Sequence, residues 1–219
     1  MAPVIMELGR QSDCVRSVIC SVAQHREMLD QVLSVFAIEP DYDLNLMQPD
    51  QSLSQLTASL FAGLDPIVSE VKPDWILAQG DTTTVFVAAM VAFYHGIAFG
   101  HVEAGLRTGD KLRPFPEEIN RRLADLVASA YFAPTETARQ ALLREGCCDR
   151  DIYVTGNTVV DALNDVAARE YDWKSGPLCQ LPLDKRLVLI TAHRRESFGD
   201  PFRQLCLAIR ELEIGRAHV

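Results

Sequence analysis

Three carboxylates and an arginine stand at turns that follow short apolar runs. Asp81 lies in Gly80-Asp81-Thr82-Thr83-Thr84, just after Trp75-Ile76-Leu77-Ala78-Gln79. Glu103 and Arg107 lie in the run His101 to Asp110, where Gly105 and Gly109 flank the arginine. Glu117 and Glu118 follow Pro116 directly. Carboxylates at strand ends can move protons, and arginines or helix N-termini can hold an anion. Such a combination suits an enzyme that acts on a phosphorylated metabolite. A further candidate is His193, in His193-Arg194-Arg195-Glu196, where paired arginines suit a diphosphate.

Each residue also has a plainer reading. Asp81 could cap a helix, because aspartate satisfies free amides there. Glu103 could be a surface glutamate, although glycines on both sides of Arg107 suggest a loop built for close approach to a ligand. Glu117 and Glu118 could simply complement a helix dipole. His193 could be an ordinary polar residue after a strand. For His25, in Gln24-His25-Arg26-Glu27, ligand contact and plain surface are evenly balanced.

Positioning such groups needs a scaffold, and the chain carries an alternating one. Apolar runs at Arg16 to Val22, Trp75 to Gln79, Ala98 to Val102, Tyr131 to Ala133, Ile152 to Thr155 and Leu187 to Thr191 read as strands. Between them, helices are expected over Glu27 to Phe36, from Ser52, Thr83 to His95, Pro116 to Ser129, from Thr135 to Gly146, Thr158 to Glu170, and Pro201 to Leu212. Leu53, Leu56, Leu60, Leu64, Ile67, Val68 and Val71 recur in steps of three and four, which marks one helical face. Pro66 falls inside that pattern and could kink it, and Pro73 ends it. Strand–helix alternation predicts an α/β fold, a Rossmann-like parallel sheet with helices on both faces. Ligands in such sheets bind beyond the carboxyl ends of the strands, which is where the candidate residues fall.

The chain has 219 residues, 48% apolar and 23% charged, with a net charge of −9, the profile of a soluble globular protein. No basic stripe with interleaved aromatics argues for nucleic acid. No apolar run approaches the ~18 residues needed to cross a bilayer, so no membrane partner is expected. The six cysteines have no zinc spacing and read as reduced thiols of a cytoplasmic protein. There is no GxGxxG, Walker A or HExxH pattern, so neither cofactor nor metal is expected.

Taken together and in order, the motifs resemble the non-hydrolysing UDP-N-acetylglucosamine 2-epimerases. The resemblance is carried by Gln24-His25-Arg26-Glu27-Met28-Leu29-Asp30, Gly80 to Thr84, Gly100 to Gly109, Pro116-Glu117-Glu118-Ile119-Asn120-Arg121, Ala133-Pro134-Thr135-Glu136, Thr155 to Leu163 and His193 to Gly199. It implies a GT-B-type architecture of two Rossmann-like domains around a cleft, with only the first nearly complete here. Its reaction is reversible conversion of UDP-N-acetylglucosamine to UDP-N-acetylmannosamine, by elimination and re-addition of UDP, without a cofactor. Asp81, Glu103 and Glu117 match the family's catalytic carboxylates, and His193 its active-site histidine. Arg107 and Arg194 are expected to bind substrate. Gln24 and Glu27 match positions that contact UDP-N-acetylglucosamine at a regulatory site in some members. The resemblance also implies a homodimer. A hydrolysing relative, a GT-B glycosyltransferase and a non-catalytic nucleotide-sugar binding module are the alternatives. Retention of the three carboxylates with His193 argues against the last.

The expected division is a first domain over 1–170, a linker over 171–184, the start of a second domain over 185–212, and a non-native tail over 213–219. The family's first strand, with its substrate-contacting arginine and lysine, has no counterpart here, and neither has most of its second domain. The 219-residue chain alone is therefore expected to be inactive. NMR detection of UDP-N-acetylmannosamine, after incubating the purified chain with UDP-N-acetylglucosamine, would overturn that expectation.

Overall fold

The computed structural model describes residues 1–22, 26–46, 50–182, 184–185, 187–191 and 199–216. The chain divides into two compact units, Met1–Arg169 and Glu170–Val219.

The first unit is built on a four-stranded parallel sheet. Its strands are β3 (Trp75–Gln79), β4 (Ala98–Val102), β5 (Ala130–Ala133) and β6 (Ile152–Val154), side by side in chain order. A separate parallel pair joins β1 (Cys20–Ser21) to β2 (Tyr42–Asp43). The strand expected over Arg16 to Val22 thus shrinks to two residues, because its ladder with β2 offers only two pairs. The helices are α1 (Ala2–Arg10), α2 (Arg26–Val35), α3 (Leu53–Val71), α4 (Thr83–Tyr94), α5 (Glu117–Val127), α6 (Glu136–Arg144) and α7 (Thr158–Ala167). Helix α1 has no counterpart among the elements expected from sequence.

Local chemistry explains the boundaries. Ser52 and Gln55 form a reciprocal capping box at the start of α3. Lys72 ends α3 in the left-handed region, with Pro73 next. Pro66 does not break α3, which runs on through it. The buried packing of Leu56, Leu60, Leu64 and Val68 holds the helix together across the lost hydrogen bond. Each such side chain stabilises by about 1.5–3 kcal/mol when removed from water. Thr135 caps α6 and Asn157 caps α7 through their side chains.

Strand order fixes where the helices go. Sequential parallel strands with right-handed crossovers place α4, α5 and α6 on one face. Phe99, packed with Ala124 of α5, points to that face, and so does His101 two residues on. Tyr131 pairs with His101 in register and packs against α6. On the other face, α1 and α7 both reach Gln79, which accepts hydrogen bonds from the Met1 amine at 2.5 Å and Thr158 Oγ1 at 3.1 Å. The result is parallel strands with helices on both sides. Trp75 is nevertheless half exposed, so β3 is less buried than its composition suggests.

In the second unit, the expected strand Leu187 to Thr191 does not form. Leu189 is 96% exposed, and no strand lies beside this segment among the described residues. An apolar run becomes a parallel strand only when a neighbour satisfies its backbone. Helix α8 (Asp200–Arg216) does form, as the pattern from Pro201 predicts.

Gly105 shows how tightly the first unit is closed. Its φ is +83°, and a Cβ there would lie 2.9 Å from both the Ala138 carbonyl carbon and Leu142 Cγ. Gly109 has a similar φ of +81° but open space around it. Gly105→Ala is therefore expected to lose about 2–4 kcal/mol of stability and Gly109→Ala only about 1. Urea denaturation of the two variants should rank them in that order.

Candidate active site

Three elements bring the expected carboxylates to the carboxyl edge of the sheet. Asp81 sits in the turn from β3 to α4, Glu103 follows β4, and Glu117 opens α5.

The backbone is held from below by a buried charge network. His101 of β4 is fully buried. Its Nε2 donates to the Gly80 carbonyl at 2.7 Å, and its Nδ1 lies 2.5 Å from Asp125 Oδ1. Asp125 of α5, only 2% exposed, also accepts from the Gly105 amide at 3.3 Å and from Arg107 Nη2 at 2.8 Å. Arg107 further donates to both oxygens of Glu145, at 2.9 and 2.7 Å, and to the Leu106 carbonyl at 2.8 Å. Burial opposes its charge, but the hydrogen bonds to Glu145 and the field of Asp125 win and raise the guanidinium above its ordinary value. Hydrogen bonds from Arg107 in turn hold the Glu145 carboxyl below the usual range. Arg107, expected from sequence to bind substrate, therefore spends Nε, Nη1 and Nη2 on protein acceptors and ties the loop to α5 and α6.

The carboxylates themselves have different surroundings. Asp81 is paired with Arg121, and its carbonyl accepts from Asn120 Nδ2 at 3.0 Å. It does not cap α4, whose N-cap residue is Thr82. Glu103 has a φ of +71°. Its Oε1 accepts from Asn157 Nδ2 at 2.9 Å. Glu118 is fully buried, accepts from the Thr108 amide at 3.1 Å and stands 3.6 Å from Arg121 Nη1. It is a buried anchor rather than an exposed complement to the helix dipole. Glu117 Oε2, Glu118 Oε1 and Arg121 Nε are buried with no hydrogen-bond partner among the described residues. Three such atoms in the first turns of one helix are a departure from the usual pairing of buried polar groups.

Arg121 and Asn157 were not singled out by sequence reasoning. The spacing from Glu117 to Arg121, one helical turn, was the available signal for the first. Gln24, His193 and Arg194 lie outside the described residues, while Glu27 is on α2. A cavity of about 360 Å³, lined by Val68, Ser69, Lys72, Pro73, His95 and Ile97, opens instead beside the amino ends of β3 and β4. It contains none of the expected residues. No group of three His, Cys, Asp or Glu among the described residues could hold a metal ion, and none of their helices is long and apolar enough to cross a membrane.

Residues 7–219 match the family described as UDP-N-acetylglucosamine 2-epimerase. A UDP-N-acetylglucosamine 2-epimerase of Yersinia pestis is 50% identical over 225 residues, covering 100% of this chain and 59% of that protein. The crystal structure of UDP-GlcNAc 2-epimerase from Neisseria meningitidis bound to UDP-GlcNAc is similar at a TM-score of 0.86 and 44% identity, covering 97% of this chain and 58% of that one. S. aureus MnaA in its co-structure with UDP gives 0.86 and 43%, covering 97% and 55%. The chain thus spans less than two thirds of the length of these relatives.

The network predicts a large penalty for neutralising its centre. Asp125→Asn leaves the buried His101 ring without its carboxylate and Arg107 with Glu145 alone, and is expected to cost about 3 kcal/mol. A midpoint in urea unchanged from wild type would show that Asp125 carries no such load.

Proposed function

This chain belongs to the UDP-N-acetylglucosamine 2-epimerase family, and from that premise we propose that it supplies the proton-transfer half of a cleft that interconverts UDP-N-acetylglucosamine and UDP-N-acetylmannosamine. The observation that carries the reading is the convergence of Asp81, Glu103 and Glu117 on one edge of the sheet, from three separate elements. Relatives bound to UDP-GlcNAc and to UDP support the substrate class.

The proposed route is non-hydrolysing. One carboxylate removes the proton at C2, and the C2–H electron pair forms the C1–C2 double bond as the C1–O bond breaks. The products of that half-reaction are 2-acetamidoglucal and UDP. Re-addition of UDP oxygen to C1, with a proton delivered to C2 from the opposite face, gives the epimer. Two faces of one carbon need two proton-transfer groups, which a single carboxylate could not provide. The three carboxylates supply that number with one to spare. Arg121, already paired with Asp81, places positive charge beside them. His193 and Arg194 are assigned to the diphosphate, Gln24 and Glu27 to a regulatory nucleotide-sugar site. No step needs an external electron acceptor, since the substrate carries its own leaving group.

A homodimer fits the same reading. Phe93, Tyr94 and Leu126 are each at least 60% exposed at the carboxyl ends of α4 and α5, two helices that pack together, and such apolar surface suits a protein partner. The proposed action on a nucleotide sugar fits a cytoplasmic protein.

The test is turnover by the full-length protein in deuterated water. Product formed by this route must carry deuterium at C2, and epimer without it would remove the mechanism. Asp81→Asn, Glu103→Gln and Glu117→Gln should each lower kcat by roughly 10²–10⁴-fold, with UDP affinity far less affected because the amide keeps each side chain's shape.

A further inference from the structure

Asn157 is not used by the reaction as set out above, and its contacts give it a role. It lies in the turn from β6 to α7, on the sheet edge that also carries Asp81 and Glu103. Its side-chain oxygen accepts the Val159 amide at 3.0 Å and so caps α7. A side-chain amide has one accepting end and one donating end. Once the oxygen is committed to the helix, the orientation of the nitrogen is fixed, and Nδ2 donates to Glu103 Oε1 at 2.9 Å.

Glu103 needs such a hold. Its backbone is left-handed, and its other oxygen lies over Gly80, 3.7 Å from where a Cβ would stand. That contact distance is an ordinary one, while Asn157 supplies the hydrogen bond to Oε1. An asparagine is the residue that does both jobs, since aspartate or serine would cap equally well but could not direct an N–H at a carboxylate this way.

We propose that Asn157 is a positioning residue: it uses the start of α7 as a fixed support and orients the Glu103 carboxylate for proton transfer. The proposal rests on the role of Glu103 in the epimerase reading.

The experiment separates the cap from the positioning. In the full-length protein, Asn157→Asp and Asn157→Ser keep a capping oxygen and lose the amide N–H that reaches Glu103, the serine hydroxyl being too short to replace it while it caps. Both are expected to melt close to wild type while kcat falls roughly 10- to 100-fold, with KM within about threefold. Asn157→Asp should be the slower of the two, because it sets a second carboxylate against Glu103. Asn157→Ala, which loses both functions, should also melt lower. Wild-type kcat in either capping variant would overturn the proposal. A second readout does not depend on the substrate. In ¹⁵N-labelled protein, the Asn157 side-chain amide resonances should move when Glu103 is changed to Ala. If they do not move, the contact is not made in solution and the proposal fails. If wild type makes no UDP-N-acetylmannosamine, the substrate reading fails alone, and the resonance shift still decides whether Asn157 holds Glu103.

Discussion

Burial of the Asp125 carboxylate is the constraint on which the rest of the site depends. A carboxylate at 2% exposure is tolerated only if donors surround it. Here they come from three places: the His101 ring in β4, the Gly105 amide, and the Arg107 guanidinium. Helix α5 therefore cannot slide along the sheet without stranding a charge. Glu117 and Arg121 ride on the same helix, so their positions inherit that restraint. The second nitrogen of His101 extends it to the Gly80 carbonyl, and with it to the turn that presents Asp81. One buried anion thereby sets the mutual positions of all three elements that carry acids. An apolar core could have packed α5 on β4 with similar energy, but packing is far less directional than a hydrogen-bonded ion pair.

Above that network the three acids are deliberately unlike. Asp81 faces a cation, Glu103 faces a neutral amide donor, and Glu117 has a buried oxygen with no partner among the described residues. Carboxylates in different surroundings can take different proton-transfer roles, whereas identical surroundings would make them redundant. The cost appears in the first turns of α5, where polar atoms are buried without hydrogen-bond partners among the described residues. Each such atom opposes folding. A helix start that served only as scaffold would have no reason to retain them.

Much of this was readable from residue types alone. The elements from α3 to α7 follow from apolar runs punctuated by Ser52, Pro73, Thr135 and Gly146, because capping and strand burial are local in origin. The edge on which the acids gather follows from parallel topology. What was not readable depends on partners far away in sequence. Arg107 looked like a ligand contact between two glycines, yet Asp125 and Glu145, 18 and 38 residues away, claim its donors. Asn157 read as one residue of a motif, and its link to Glu103 spans 54 positions. Leu187 to Thr191 has a strand's composition, but composition cannot supply the neighbour that a strand requires.

Glu103 stands against local backbone preference at the site itself. A non-glycine residue in the left-handed region costs roughly 1–2 kcal/mol, and glycine would remove that cost at a φ of +71°. Both amides that follow β4, those of Glu103 and Ala104, donate to the Phe132 carbonyl, at 3.0 and 3.2 Å, so the turn is pinned in this shape by its neighbouring strand. A residue placed there must accept the strain in order to bring a side chain to the edge. Glycine stands at position 80, where a φ of +88° favours it and a Cβ would lie at an ordinary 3.7 Å from Glu103 Oε2. The pair runs against backbone preference at position 103 and with it at position 80. Backbone preference explains the glycine, whereas at position 103 the carboxylate is kept at the edge in spite of that preference.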